Sequence, residues 1–117
     1  MNNFVEMQVN SKSELDALIN DSKPVILYFC SETCNVCHSV LPKLISIIED
    51  LPVSFIKVKA DIQPEICGQL LVFTVPTILI FYEGKEILRE SRFIDFNNIE
   101  KMLNRVIETK NNVRSRY

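Results

Sequence analysis

The sequence predicts a single α/β domain: a mixed central β-sheet flanked by helices on both faces. Three observations carry that expectation. Apolar runs of strand length alternate with stretches in which apolar residues recur every three or four positions. The last two strand-like runs are separated only by Glu83 and Gly84, a two-residue hairpin connection with glycine supplying a positive backbone angle. At 117 residues the chain has room for one domain and not for two. Strands alternating with helices imply parallel neighbours joined by right-handed crossovers, and the hairpin adds antiparallel pairing.

Each element has its own signal. A strand fits Glu6 to Val9. Ser11 with Glu14 three residues on is a capping box, and Leu15, Leu18 and Ile19 mark the apolar face of a short helix that Asp21 to Pro24 ends. Val25 to Cys30 is a continuous apolar run, the mark of a strand covered on both faces. Ser31 to Thr33 leaves it as a loop. From Cys34 the period changes: Val36, Val40, Leu44, Ile47, Ile48 and Leu51 form the apolar stripe of a helix. Pro42 lies inside that helix, where it removes one backbone bond and kinks it without ending it. Val53 to Val58 reads as a strand and Ile62 to Leu71 as a short helix with Pro64 near its start. Thr77 to Tyr82 and Lys85 to Glu90 form the hairpin. Asp95 caps a last helix with Phe96, Ile99, Met102, Leu103 and Val106 on its apolar face. One domain over 1–109 is therefore expected, followed by a polar tail over 110–117.

Composition excludes several classes. Two glycines, Gly68 and Gly84, cannot build a dinucleotide-binding or P-loop phosphate cradle. A net charge of −2 gives no cationic field for nucleic acid or an acidic membrane. The uncharged stretch between Glu65 and Glu83 is too short and broken for a membrane span and reads as core. Met1 to Asn20 holds no basic start followed by an apolar stretch, so the expected location is the cytoplasm, where thiols stay reduced.

Four cysteines stand at 30, 34, 37 and 67. Cys34 and Cys37 form C-x-x-C at the start of a helix, one turn apart on the same side, at a separation that a disulfide spans without strain. The free N–H groups of a first helical turn favour an anion at Cys34, and the thiolate is the species that attacks disulfides. Three other chemistries use overlapping residues. Cys34 to His38 is also C-x-x-C-H, a c-type haem signature whose attachment implies export. Cys30 to Cys37 is C-x-x-x-C-x-x-C, similar to the cluster motif of radical SAM enzymes, which need a far larger barrel. Zinc on Cys30, Cys34, Cys37 and His38 has suitable ligand types, but crowds four of them into nine residues. Motif and local structure agree only on the redox reading, so no cofactor and no metal are expected. Cys30 and Cys67, in apolar stretches, read as small core residues, with Cys30 close enough in sequence to Cys34 for an alternative disulfide. His38 reads as a solvated helix residue whose rival role is a positive charge beside the thiols.

From about Met7 to Ile107 the chain resembles the thioredoxin family. The resemblance rests on Cys34-Asn35-Val36-Cys37 after the strand Val25 to Cys30, on Pro42, on Val75-Pro76-Thr77 before the hairpin, and on Gly84 in the turn. It implies the thioredoxin fold, a cis peptide bond before Pro76, and substrate backbone held beside Cys34 by Val75 and Pro76. The chain also departs from the family pattern. Thr33 stands where a tryptophan is usual, and Asn35 and Val36 replace the dipeptide that tunes the potential. Tyr28 stands at the family's buried acid, which leaves water, Glu32 or Lys57 to take the proton from Cys37. Lys57 matches a lysine that the family often has. Arg92 falls near the glycine flanking the substrate groove. The expectation is a cytoplasmic, monomeric thiol–disulfide oxidoreductase. Cys34 attacks a protein disulfide and Cys37 resolves the mixed disulfide, with a reductase or a low-molecular-weight thiol as electron donor. Its rival is a binding or redox-sensing module of the same fold with little turnover.

Overall fold

The computed structural model describes the backbone of residues 5–115 and the side chains of residues 7–108. The elements run β1 (Val5–Gln8), α1 (Lys12–Ile19), β2 (Val25–Cys30), α2 (Asn35–Ile48), β3 (Ser54–Lys59), α3 (Pro64–Gln69), β4 (Thr77–Tyr82), β5 (Lys85–Ser91) and α4 (Phe96–Ser115). The five strands form one sheet in the order β1-β3-β2-β4-β5. β1 and β2 run parallel to β3, β4 is antiparallel to β2, and β5 is antiparallel to β4.

Central β2 shows why its sequence is an unbroken apolar run. Leu27 and Phe29 enter one core layer with Leu15 and Ile19 of α1 and Ile66 and Cys67 of α3. Ile26 and Tyr28 enter the opposite layer with Val40 and Leu44 of α2 and Ile99 and Leu103 of α4. With both faces covered, alternation puts every side chain into apolar surroundings. β5, at the edge, alternates only weakly and is half-exposed or exposed throughout.

Helix ends follow their capping signals. The Glu14 N–H donates to Ser11 Oγ at 3.2 Å, and the Glu14 carboxylate accepts from the Asn10 N–H at 3.4 Å, one residue earlier than the ideal capping box. Asp95 Oδ1 accepts from the Asn98 N–H at 3.2 Å. In the hairpin Glu83 (φ 53°) and Gly84 (φ 82°) both adopt the left-handed region, as a type I′ connection requires. A Cβ at Gly84 would lie 3.0 Å from Asn20 Oδ1, so a side chain there also requires the Asn20 amide to shift.

Some expectations change. Val36 is 53% exposed, because Cys37, buried, takes the inward position of the first turn of α2 with Val40, Leu44 and Ile48 behind it. The uncharged stretch after Glu65 is not all core: Leu71, at φ 57°, turns the chain outward, and Phe73 is 80% exposed. Ile62 precedes α3 and is exposed. The backbone of α4 runs to Ser115, through most of the expected tail; helical hydrogen bonding does not need an apolar face to continue. Residues 116 and 117 lie outside the described residues.

Candidate active site

Cys34 is the N-cap of α2. Its backbone is extended, and its Sγ accepts the Cys37 N–H at 3.3 Å, the place a serine or aspartate oxygen takes in an ordinary cap. The Cys34 N–H donates to the Ser31 carbonyl at 3.2 Å, which closes the loop from β2. Cys34 is half-buried and Cys37 buried, so the two sulfurs differ in access although they lie one turn apart. Burial, and then the hydrogen bond with Cys34, push the Cys37 thiol up to about 11. Thr33, Asn35 and Val36 surround Cys34 and are exposed.

Behind Cys37 stands Tyr28. Its ring stacks on Phe55 at 6.1 Å between centroids, and its hydroxyl donates to the Cys37 carbonyl at 2.6 Å. Burial, with the neighbouring Cys37 and Cys30 thiols, pushes its phenol upward. Tyr28 is thus a hydrogen-bond donor held in its protonated form, at the position where the family pattern has an acid. A cavity of ≈ 250 Å³ opens beside it, lined by Tyr28, Cys30, Glu32, Cys37, His38 and Lys57 among others. Burial pushes the Cys30 thiol up, and Lys57 opposes that shift. His38 is exposed, and its Nε2 reaches the Glu32 carbonyl at 3.4 Å.

The segment before β4 completes the surface. The Val75–Pro76 peptide bond is cis, Pro76 is buried and Val75 half-buried. The Arg92 N–H donates to the Pro76 carbonyl at 3.2 Å, which ties the turn after β5 to this segment, and Arg92 holds φ 63°. A groove of ≈ 510 Å³ runs along Val75, Thr74, Phe73, Cys67 and Ala60 to Ser31.

Sequence reasoning missed Lys59 and Gln8 in the cavity wall and the exposed Phe73 and Phe93 near the Pro76 segment. Strand parity held a signal for Lys59: Tyr28 aligns with Lys57 and Cys30 with Lys59, so the two lysines share a face. Phe73 carried no such signal, since it sits outside any periodic element. Among the described residues, no group of three or more His, Cys, Asp or Glu is placed to hold a metal ion.

The thioredoxin family model matches residues 6–107. The thioredoxin-like protein YdfQ of Bacillus subtilis is 36% identical over 99 residues, spanning 84% of this chain and 88% of that protein. The thioredoxin of Mycoplasmoides gallisepticum is 28% identical over 96 residues, covering 81% and 96%. The solved thioredoxin of Fasciola hepatica superposes with a TM-score of 0.75 at 24% identity over 85% of this chain and 97% of that one, a likeness of fold. With a mixed five-stranded sheet, Cys34 and Cys37 at the head of α2 and a family match over nearly the whole length, the chain belongs to the thioredoxin family, whose general role is thiol–disulfide oxidoreduction.

Proposed function

We propose that the protein reduces protein disulfides through Cys34 and Cys37. The observation that carries this reading is the unequal access of two sulfurs one turn apart: Cys34 caps the helix half-buried, and Cys37 sits buried behind it. Cys34 thiolate attacks one sulfur of a substrate disulfide, the partner sulfur leaves as a thiolate and is protonated, and a mixed disulfide forms. Cys37 then gives up its proton and attacks Cys34 Sγ, releasing the second substrate thiol and leaving a Cys34–Cys37 disulfide. Val75 and Pro76 hold the substrate backbone, with Thr33, Asn35, Val36 and Arg92 around it. Water, Glu32 or Lys57 takes the proton from Cys37, a reading supported by Glu32 and Lys57 lining the cavity beside it, and His38, in the same cavity wall, adds positive charge near the thiols when protonated. A reductase or low-molecular-weight thiol in the cytoplasm returns the electrons, and the protein works as a monomer.

The test has two arms. Cys37→Ser should accumulate mixed disulfides, and the wild-type protein should speed the reduction of insulin by dithiothreitol severalfold over dithiothreitol alone. A variant that traps nothing, together with a wild type that leaves the dithiothreitol-only rate of insulin reduction unchanged, sinks the proposal.

One observation favours a second reading, that of a binding or redox-sensing module. Tyr28 supplies a proton donor and no base behind Cys37, which slows resolution of a mixed disulfide. Slow turnover by a thioredoxin reductase, together with one partner that stays bound, would select it.

A further inference from the structure

Cys30 is not an isolated core thiol. It stands two residues after Tyr28 on β2, so its side chain faces the same layer, and Tyr28 already touches the Cys37 carbonyl. Cys30, Cys34 and Cys37 pack against the same apolar cluster. Cys30 and Cys37 also line one cavity. The strand end that carries Cys30 is fixed: its carbonyl accepts the Ala60 N–H at 2.8 Å, and it aligns with Lys59 on β3. Cys30 is half-buried, hence within reach of small reagents, and Lys57 beside it favours its anion. Cys67 lies in the core layer on the opposite face of the sheet. The shared cavity adds Cys37 as a partner for Cys30, beside the Cys34 that sequence proximity suggests.

We propose that Cys30 is a third exchanging thiol of this site, which attacks Cys37 Sγ of the oxidised Cys34–Cys37 pair, forms a Cys30–Cys37 disulfide and frees Cys34. The step balances within the chain. Cys30 loses a proton to solvent, the Cys34–Cys37 bond breaks as the Cys30–Cys37 bond forms, and Cys34 leaves as a thiolate that takes up a proton. No electrons enter or leave. The inference rests on the proposed exchange at Cys34 and Cys37 only for the origin of the oxidised pair. Its consequence is an oxidised protein that still presents an attacking thiol. In that state Cys34 can form a mixed disulfide that Cys37 is not free to resolve, so the protein holds its partner covalently instead of turning it over.

The test uses the full chain. In Cys34→Ser, serine remains a good N-cap and should preserve α2, which far-UV circular dichroism checks. Incubated with oxidised glutathione, this variant should lose two of its three alkylatable thiols and yield a Cys30–Cys37 peptide on mass spectrometry, with release of two glutathione molecules per bridge. Adding Cys30→Ser should abolish the bridge. Stoichiometrically oxidised wild type, alkylated before digestion, should show a fraction of chains alkylated at Cys34 and bridged between Cys30 and Cys37. A Cys34→Ser chain that keeps all three thiols alkylatable overturns the inference, as does an oxidised wild type never alkylated at Cys34. Insulin reduction is read separately, so a Cys30–Cys37 bridge without accelerated insulin reduction would count against the proposed function and not against this exchange.

Discussion

Cys37 holds its proton more tightly than an ordinary thiol because it is buried and hydrogen-bonded with Cys34. Only its thiolate can resolve a mixed disulfide, so the reactive fraction grows as pH rises toward about 11. Release of a mixed disulfide from Cys34 should therefore accelerate steadily from neutral pH into the alkaline range, measured by quenching a preformed complex at successive times. A release rate flat above pH 8 would show that another step limits turnover. Tyr28→Phe removes the hydroxyl that donates to the Cys37 carbonyl and should cost about 1 kcal/mol in urea unfolding. Arg92 adopts a left-handed φ of 63°, which costs a residue with a Cβ ~1–2 kcal/mol, partly offset on substitution by the freedom glycine adds to the unfolded chain. Arg92→Gly should raise stability by about 0.5–1 kcal/mol, read as a higher urea midpoint. At this scale spacing and flanking elements made the position of Cys34 and Cys37 at the head of α2 legible, whereas the cis bond before Pro76 was legible only through the family resemblance. It did not reveal the Tyr28 bond or the exposure of Phe73, since both depend on contacts between segments distant in the chain.

Among the elements, β2 and β4 have the bounds that their apolar runs predict, because strands buried on both faces begin and end where apolar residues do. α2 illustrates the opposite case. Its apolar period is plain in sequence, but its phase was misjudged at the first turn, where a cysteine and not the valine beside it faces the core. The end of α4 was illegible for a related reason: polar residues carry no period to count. The hairpin should respond sharply to substitution. Gly84→Ala meets both a left-handed φ and Asn20 Oδ1, so it should destabilise the fold by about 1–2 kcal/mol, measured by chemical denaturation. Arg89 links β5 to the turn after α3, donating to the Leu70 and Leu71 carbonyls at 2.8 and 2.9 Å while its guanidinium pairs with Glu86. Arg89→Met should cost about 1–3 kcal/mol and speed hydrogen exchange in residues 70–75, along the groove beside Val75.

In the molecule as a whole, the two core layers share the sheet but not their duties. The layer under α2 and α4 contains Tyr28 and Cys37 together with fully buried Ile99 and Leu103, so α4 helps form the core on which the site rests. Leu103→Ala should cost about 2–4 kcal/mol, and its unfolding transition should remain single if the two layers melt together. The edge of the sheet has a consequence of its own. β5 presents Lys85, Glu86, Arg89 and Glu90 along an outer strand whose pairing with β4 shifts register between Ile80 and Phe81. Charges of both signs and an interrupted ladder make that rim a poor template for a neighbouring chain, so this edge of the sheet is guarded against strand-by-strand polymerisation.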